Sequence, residues 1–133
     1  MDQVKAWIKN CEGLNLHPYL DTKGHVTIGW GRNLDNGISK DEAQLMFEND
    51  FLRTENELLK CDWYTIQPPG VQNALLNMNF NLGITKLSGF TGMIQALKEK
   101  NYSKASQEAL NSDWANEVGQ RAKDIAVMIR AGK

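Results

Sequence analysis

Three side chains near the amino terminus, Glu12, Asp21 and Thr27, combine residue types and spacing that could carry out acid–base chemistry. The carboxyls lie nine positions apart and the hydroxyl follows six positions later, in a stretch punctuated by Gly13, Gly24, Gly29 and Gly31. Most Asp and Glu side chains are solvated surface charges, so a pair in sequence is weak evidence alone. Cleavage of a glycosidic bond needs such a pair. One acid protonates the leaving oxygen, and a second carboxylate activates water or stabilises an oxocarbenium-like transition state. Glu12 and Asp21 could supply those two roles, with Thr27 holding the water.

The elements that must position these groups can be read from periodicity and turn chemistry. Val4, Trp7, Ile8 and Cys11 fall at i, i+3, i+4 and i+7, which predicts an amphipathic helix over about 2–11 with one buried stripe, ended by Gly13. Glu12 then sits at the carboxyl end of a helix, where the negative pole of the macrodipole opposes ionisation. That is the direction a general acid needs. His17-Pro18-Tyr19-Leu20 and His25-Val26-Thr27-Ile28-Gly29-Trp30 flank the turn quartet Asp21-Thr22-Lys23-Gly24, which predicts a β-hairpin. Gly29 and Gly31 suggest a strand face kept bare for the close approach of a ligand or another backbone. Asn33-Leu34-Asp35-Asn36-Gly37 reads as a loop or a further short extended segment.

Ser39-Lys40-Asp41-Glu42 is a capping box, and no Pro or Gly follows until Pro68, so one long helix to about residue 60 is predicted. After the connector Trp63 to Gly70, the stripe Val71, Ala74, Leu75, Met78 and Leu82 predicts a helix closed by Gly83, apolar enough to be the buried centre of a helical lobe. Shorter helices are expected around it at about 85–88, 91–100, 103–111 and 120–131. The fold class is therefore α+β: a small β-hairpin lobe and a larger helical lobe joined by a long helix, within one domain of residues 1–133. Residues 12–60 form the first lobe with its connecting helix, and 61–133 with 1–11 form the second.

The motifs Glu12-Gly13-Leu14, Tyr19-Leu20-Asp21, Thr22-Lys23-Gly24 and Thr27-Ile28-Gly29-Trp30-Gly31, with the Glu, Asp and Thr spacing, resemble the signature of the phage T4-type lysozymes, glycoside hydrolase family 24. The likeness continues through Gly37-Ile38-Ser39-Lys40-Asp41-Glu42-Ala43, the run Ala74 to Gly83, Gly89-Phe90-Thr91, Trp114 and Arg121-Ala122-Lys123, with a shortened stretch between Leu34 and Gly37. The resemblance implies a lysozyme-like fold and a muramidase. It would cut the bond between N-acetylmuramic acid and N-acetylglucosamine in peptidoglycan, with inversion and no cofactor. It casts Glu12 as general acid and Asp21 with Thr27 as the water-activating pair. Arg121 becomes the arginine that pairs with the glutamate and favours its charged form. Trp30 is the aromatic most suited to a sugar platform, and Asn81 and Phe90 match cleft-lining positions. Arg32 stands at an ion-pair position that the phage enzyme fills with His. A lysozyme-fold module that binds glycan without cutting it is the alternative.

Composition narrows the remaining classes. The chain is 41% apolar and 23% charged, as ordinary globular domains are. The net charge of −1 divides into −4 over residues 1–67 and +3 over 68–133, too small an excess to argue nucleic-acid binding. Cys11 and Cys61 are expected as reduced, buried thiols, and His17 and His25 fit no metal-ligand spacing. Trp7, Trp30, Trp63 and Trp114 are expected in the core or at a lobe interface rather than as sugar platforms, with Trp30 the best platform candidate among them, and Met78 and Met93 in the core. The first residues alternate charged and apolar side chains, unlike a signal peptide, and no stretch is long enough to insert into a membrane. The expected setting is a bacterial host's cytoplasm, with release to the cell wall through a membrane-permeabilising partner such as a holin. A secreted antibacterial effector would use the same chemistry with different delivery. A monomer is the default expectation.

Overall fold

The computed structural model describes residues 1–133 as nine helices and three strands. In chain order these are α1 (Asp2–Glu12), β1 (Asn15–Leu20), β2 (Val26–Gly29), β3 (Arg32–Asn33), α2 (Lys40–Leu59), α3 (Asp62–Thr65), α4 (Pro69–Leu82), α5 (Ile84–Ser88), α6 (Thr91–Lys98), α7 (Tyr102–Leu110), α8 (Asp113–Val118) and α9 (Gln120–Ala131). The chain is α+β and divides into two compact units, Met1–Met46 and Phe47–Lys133, with the boundary inside α2. The sequence reading grouped residues 1–11 with the helical lobe, whereas contacts group α1 with the strands.

In the first unit, β1, β2 and β3 form an antiparallel sheet in that order. Tyr19 pairs with Thr27 and Leu20 with Val26, and the register shifts between Tyr19 and Asn15, which faces Gly29. Pro18 lies in the shifted stretch and has no amide to give to the ladder, the usual reason for an irregularity there. β3 is the short extended segment that the sequence left open, and Leu34 continues its pairing by donating to the Val26 carbonyl at 2.7 Å.

The capping box forms as written. The Ser39 amide donates to Glu42 Oε1 at 2.9 Å and the Glu42 amide to Ser39 Oγ at 3.1 Å. Arg32 Nη1 lies 2.6 Å from Glu42 Oε2, which ties β3 to the first turn of α2. Together with Ser39, the guanidinium brings the Glu42 carboxyl down to about 2, Arg32 contributing most.

The second unit holds the core. α4 runs through it with Val71, Ala74, Leu75 and Met78 at zero exposure. Leu87, Met93, Leu97, Trp114, Ile125 and Ile129 close around that stripe from α5, α6, α8 and α9. Ala96, Ala105, Ala109 and Ala122 are buried with them, and such small side chains let helix backbones approach closely. Buried polar side-chain atoms are paired, as their desolvation requires, except Asn79 Oδ1, which is buried without a partner. Gln67 Nε2 donates to the carbonyls of Trp63 at 2.8 Å and Leu97 at 2.9 Å, and its Oε1 accepts from Tyr102 Oη at 2.8 Å. Asn79 Nδ2 donates to the Thr54 carbonyl and to Glu57 Oε2, joining α4 to α2.

Three expectations need correction. α1 forms over the predicted residues, but its stripe is not buried: Trp7 is 67% exposed and Cys11 is exposed. Helical periodicity identifies one face of a helix and does not by itself cover it. Cys61 is only half-buried, and both thiols are free. Two short helices, α3 and α8, occupy stretches without an expected helix. Ser112 marked the second, since its hydroxyl caps the Ala115 amide at 3.2 Å.

Candidate functional site

Glu12 is the last residue of α1, and Gly13 ends the helix with φ 71° and ψ 152°, its amide donating to the Lys9 carbonyl at 2.8 Å. The carboxylate lies against Gly31. A Cβ built on Gly31 would stand 2.5 Å from Glu12 Oε2 and 3.0 Å from its Cδ, and Gly31 has φ +76°. Gly29 has a similar φ of +69° but nothing within 4 Å of a built Cβ. The bare strand face is thus occupied at Gly31 by the carboxyl group of Glu12 itself.

Asp21 opens the turn between β1 and β2. Its carbonyl accepts from the Gly24 amide at 3.0 Å, and its Oδ1 accepts from the amides of His25 at 2.8 Å and Lys23 at 2.9 Å. The Asp-Thr-Lys-Gly sequence favours this because an Asp side chain can bond to the amides that follow it. The His25 amide holds the Asp21 carboxyl below its ordinary value, with burial opposing and the Lys23 amide adding to it. Asp21 is therefore an anion at neutral pH, as a water-activating base must be.

Thr27, 3% exposed, is the one buried side chain of the first unit. Its Oγ1 donates to the His25 carbonyl at 2.9 Å, which fixes the rotamer and leaves oxygen lone pairs to accept from water. Asp21 and Thr27 are thus both bonded to one residue, His25. Trp30 is 46% exposed with Lys9 Nζ 4.2 Å from its ring centroid, a cation–π contact. It lines a cavity of roughly 710 Å³ with Ile28, Arg32, Leu34, Ile38 and Leu45.

The remaining site residues from the sequence reading lie in the second unit. Arg121, in the first turn of α9, donates from Nε to Asn77 Oδ1 at 2.8 Å and from Nη2 to the Asn77 carbonyl at 3.2 Å. It lines a cavity of roughly 420 Å³ with Phe47, Phe51, Leu76 and Phe80. Asn81 and Phe90 meet through Trp114. The indole Nε1 donates to Asn81 Oδ1 at 2.8 Å, and the Phe90 ring stands edge-on to the indole at 6.3 Å and 82°. No group of three His, Cys, Asp or Glu side chains is placed to hold a metal ion.

The profile of the phage lysozyme family matches residues 9–130. The chain belongs to the phage lysozyme family. Relatives of this lysozyme-like fold include two proteins of Dictyostelium discoideum, probable T4-type lysozymes 2 and 1, which are 25% and 23% identical over 163 positions. Each alignment covers 99% of this chain and 96% of the relative. A 163-position alignment with a 133-residue chain means that these relatives carry insertions relative to it. The pre-baseplate central spike protein Gp5 of Enterobacteria phage T4 is 24% identical over 94% of this chain, which spans 27% of that protein. No helix of this lysozyme-family chain is long and apolar enough to cross a membrane.

Several participants escaped the sequence reading: His25 as the holder of Asp21 and Thr27, Gly31 as the seat of Glu12, Asn77 as the acceptor for Arg121, and Trp114 as the link between Asn81 and Phe90. Only the Asp21 turn carried a signal, in its Asp and Gly. The others act through backbone groups or through pairings distant in sequence.

Proposed function

We propose that this chain hydrolyses the bond between N-acetylmuramic acid and N-acetylglucosamine in peptidoglycan, with inversion at the anomeric carbon. Glu12 protonates the leaving oxygen, and anionic Asp21 with Thr27 orients and deprotonates the attacking water. The observation that carries this reading is the hairpin turn in which two amides hold Asp21 ionised while Thr27 is anchored on the same His25. An inverting hydrolase needs its base charged and its water held, and these bonds serve both needs. Arg121 is proposed as a supporting residue, and Trp30, Asn81 and Phe90 as contacts for sugar rings. The scheme needs no cofactor. In a phage or prophage setting the chain would act as an endolysin, with a holin releasing it to the wall, and it would act as a monomer.

Purified protein incubated with bacterial cell walls is expected to release reducing ends and clear turbidity. A soluble glycan fragment followed by NMR is expected to give the α-anomer first. A wild-type protein that binds walls but releases no reducing ends would establish a glycan-binding module in place of an enzyme. The β-anomer appearing first would refute inversion.

A further inference from the structure

The first unit carries an ion pair that the proposed chemistry does not use. His25 Nδ1 lies 2.8 Å from Asp35 Oδ2. His25 is also the residue on which the hairpin turn converges. Its amide donates to Asp21 Oδ1 at 2.8 Å, and its carbonyl accepts from Thr27 Oγ1 at 2.9 Å and from the Asp21 amide at 3.0 Å. No apolar packing fixes this turn, since Thr22, Lys23 and Gly24 are exposed and Thr27 alone is buried in the unit.

Asp35, by contrast, is anchored. Its amide donates to Asn33 Oδ1 at 2.8 Å, the Leu34 amide beside it donates to the Val26 carbonyl at 2.7 Å, and the Gly37 amide closes the loop on the Leu34 carbonyl at 2.9 Å. A loop built on β2 and β3 therefore grips the imidazole, and the backbone of the same histidine grips the turn.

We infer that His25 is a positioning residue: clamped by Asp35, it holds Asp21 and Thr27 in the geometry that orients the water. This rests on the roles proposed for Asp21 and Thr27. The charged groups facing the imidazole are Asp35 on the loop and Asp21 in the turn, with Lys23 facing Asp21. The hydrogen bond to Asp35 raises His25 above its ordinary value of 6.5, burial opposes this, and the charges of Asp21 and Asp35 add to it. For a group raised on folding, the contribution of the pair is complete below the ordinary value and is lost as pH rises through the folded one. The clamp consequently loosens on the alkaline side.

The test uses the full chain, with amide exchange by NMR alongside kcat and KM on solubilised peptidoglycan across pH. In Asp35→Asn, protection of the Lys23 and His25 amides is expected to fall. The kcat should drop about two- to fivefold with KM unchanged, as suits an exposed ion pair. Amides of α4 should keep their protection, which shows that the fold persists. In the wild type the same two amides should lose protection as pH rises above the ordinary histidine value of 6.5, and in His25→Arg that pH dependence should vanish. Equal protection and equal kcat in Asp35→Asn and wild type at every pH would overturn the inference. Full turnover by Asp21→Asn would instead defeat the functional reading beneath it, and the exchange data would still report on the clamp.

Discussion

The two units of this chain are held together by different forces. Phe47–Lys133 contains the contiguous apolar core, whereas Met1–Met46 buries only Thr27 and is shaped by turns, short backbone ladders and two ion pairs. The three residues proposed to perform the chemistry all lie in the unit without a core. Polar bonds are directional and individually weak, whereas apolar burial is strong and indifferent to angle. A unit organised by polar bonds can aim side chains closely while contributing little to global stability. Substitutions in the second unit should therefore be read in melting curves, and substitutions in the first should be read in rates.

The largest effect expected from this contrast is on stability. Leu75, fully buried on α4, should cost roughly 2–5 kcal/mol when replaced in Leu75→Ala, from lost burial and the cavity left behind. Denaturant unfolding followed by circular dichroism measures this. The remaining folded protein should keep its specific activity, and a rate loss much greater than the loss of folded protein would blur the division between units.

The matched pair Gly31→Ala and Gly29→Ala sharpens it next. Both positions have positive φ, so both substitutions carry a backbone cost of about 1–3 kcal/mol. Only a methyl group at Gly31 meets the Glu12 carboxylate. Wall hydrolysis per folded molecule should fall at least roughly tenfold further in Gly31→Ala than in Gly29→Ala, since small misplacements of a catalytic group are costly. Equal losses would mean that Gly31 supplies backbone freedom and nothing more.

The smallest expected effect concerns Glu42, whose carboxyl is lowered to about 2 by Arg32 and Ser39. A depressed carboxyl contributes stability that is present above its ordinary value of 4.5 and is lost as pH falls toward 2. Melting temperatures taken through that window should fall more steeply for wild type than for Glu42→Gln. The difference should shrink with added salt, because the pair is exposed. Parallel curves would remove Arg32 and Glu42 from the list of what shapes the first unit.

Legibility in the sequence followed the same division. The second unit announced itself because the spacing of Val71, Ala74, Leu75 and Met78 reports directly on burial, and all four lie at zero exposure. In the first unit the local signals held: the capping box at Ser39 forms, and so does the turn from Asp21 to Gly24. What did not follow was anything requiring knowledge of the neighbour. Trp7 and Ile8 share a helix face, yet they are 67% and 52% exposed, because periodicity states which residues align and not what covers them. His25 looked like an ordinary strand residue or a doubtful ligand, since its work is done by an amide and a carbonyl that every residue possesses. Glu12 and Asp21 stood out by type, whereas the groups that seat them, Gly31 and the His25 backbone, became visible only with the chain folded.

The central claim is that Glu12 and Asp21 are the acid and base of a glycan hydrolase housed in the polar unit. Rates of reducing-end release from purified cell walls, measured for wild type, Glu12→Gln and Asp21→Asn beside their melting curves, test it most directly. The account predicts that each variant loses roughly 10²- to 10⁴-fold in rate, the usual contribution of a positioned acid or base, with melting curves close to wild type. Variants that keep the wild-type rate, or that lose it only in proportion to lost folded protein, would contradict it.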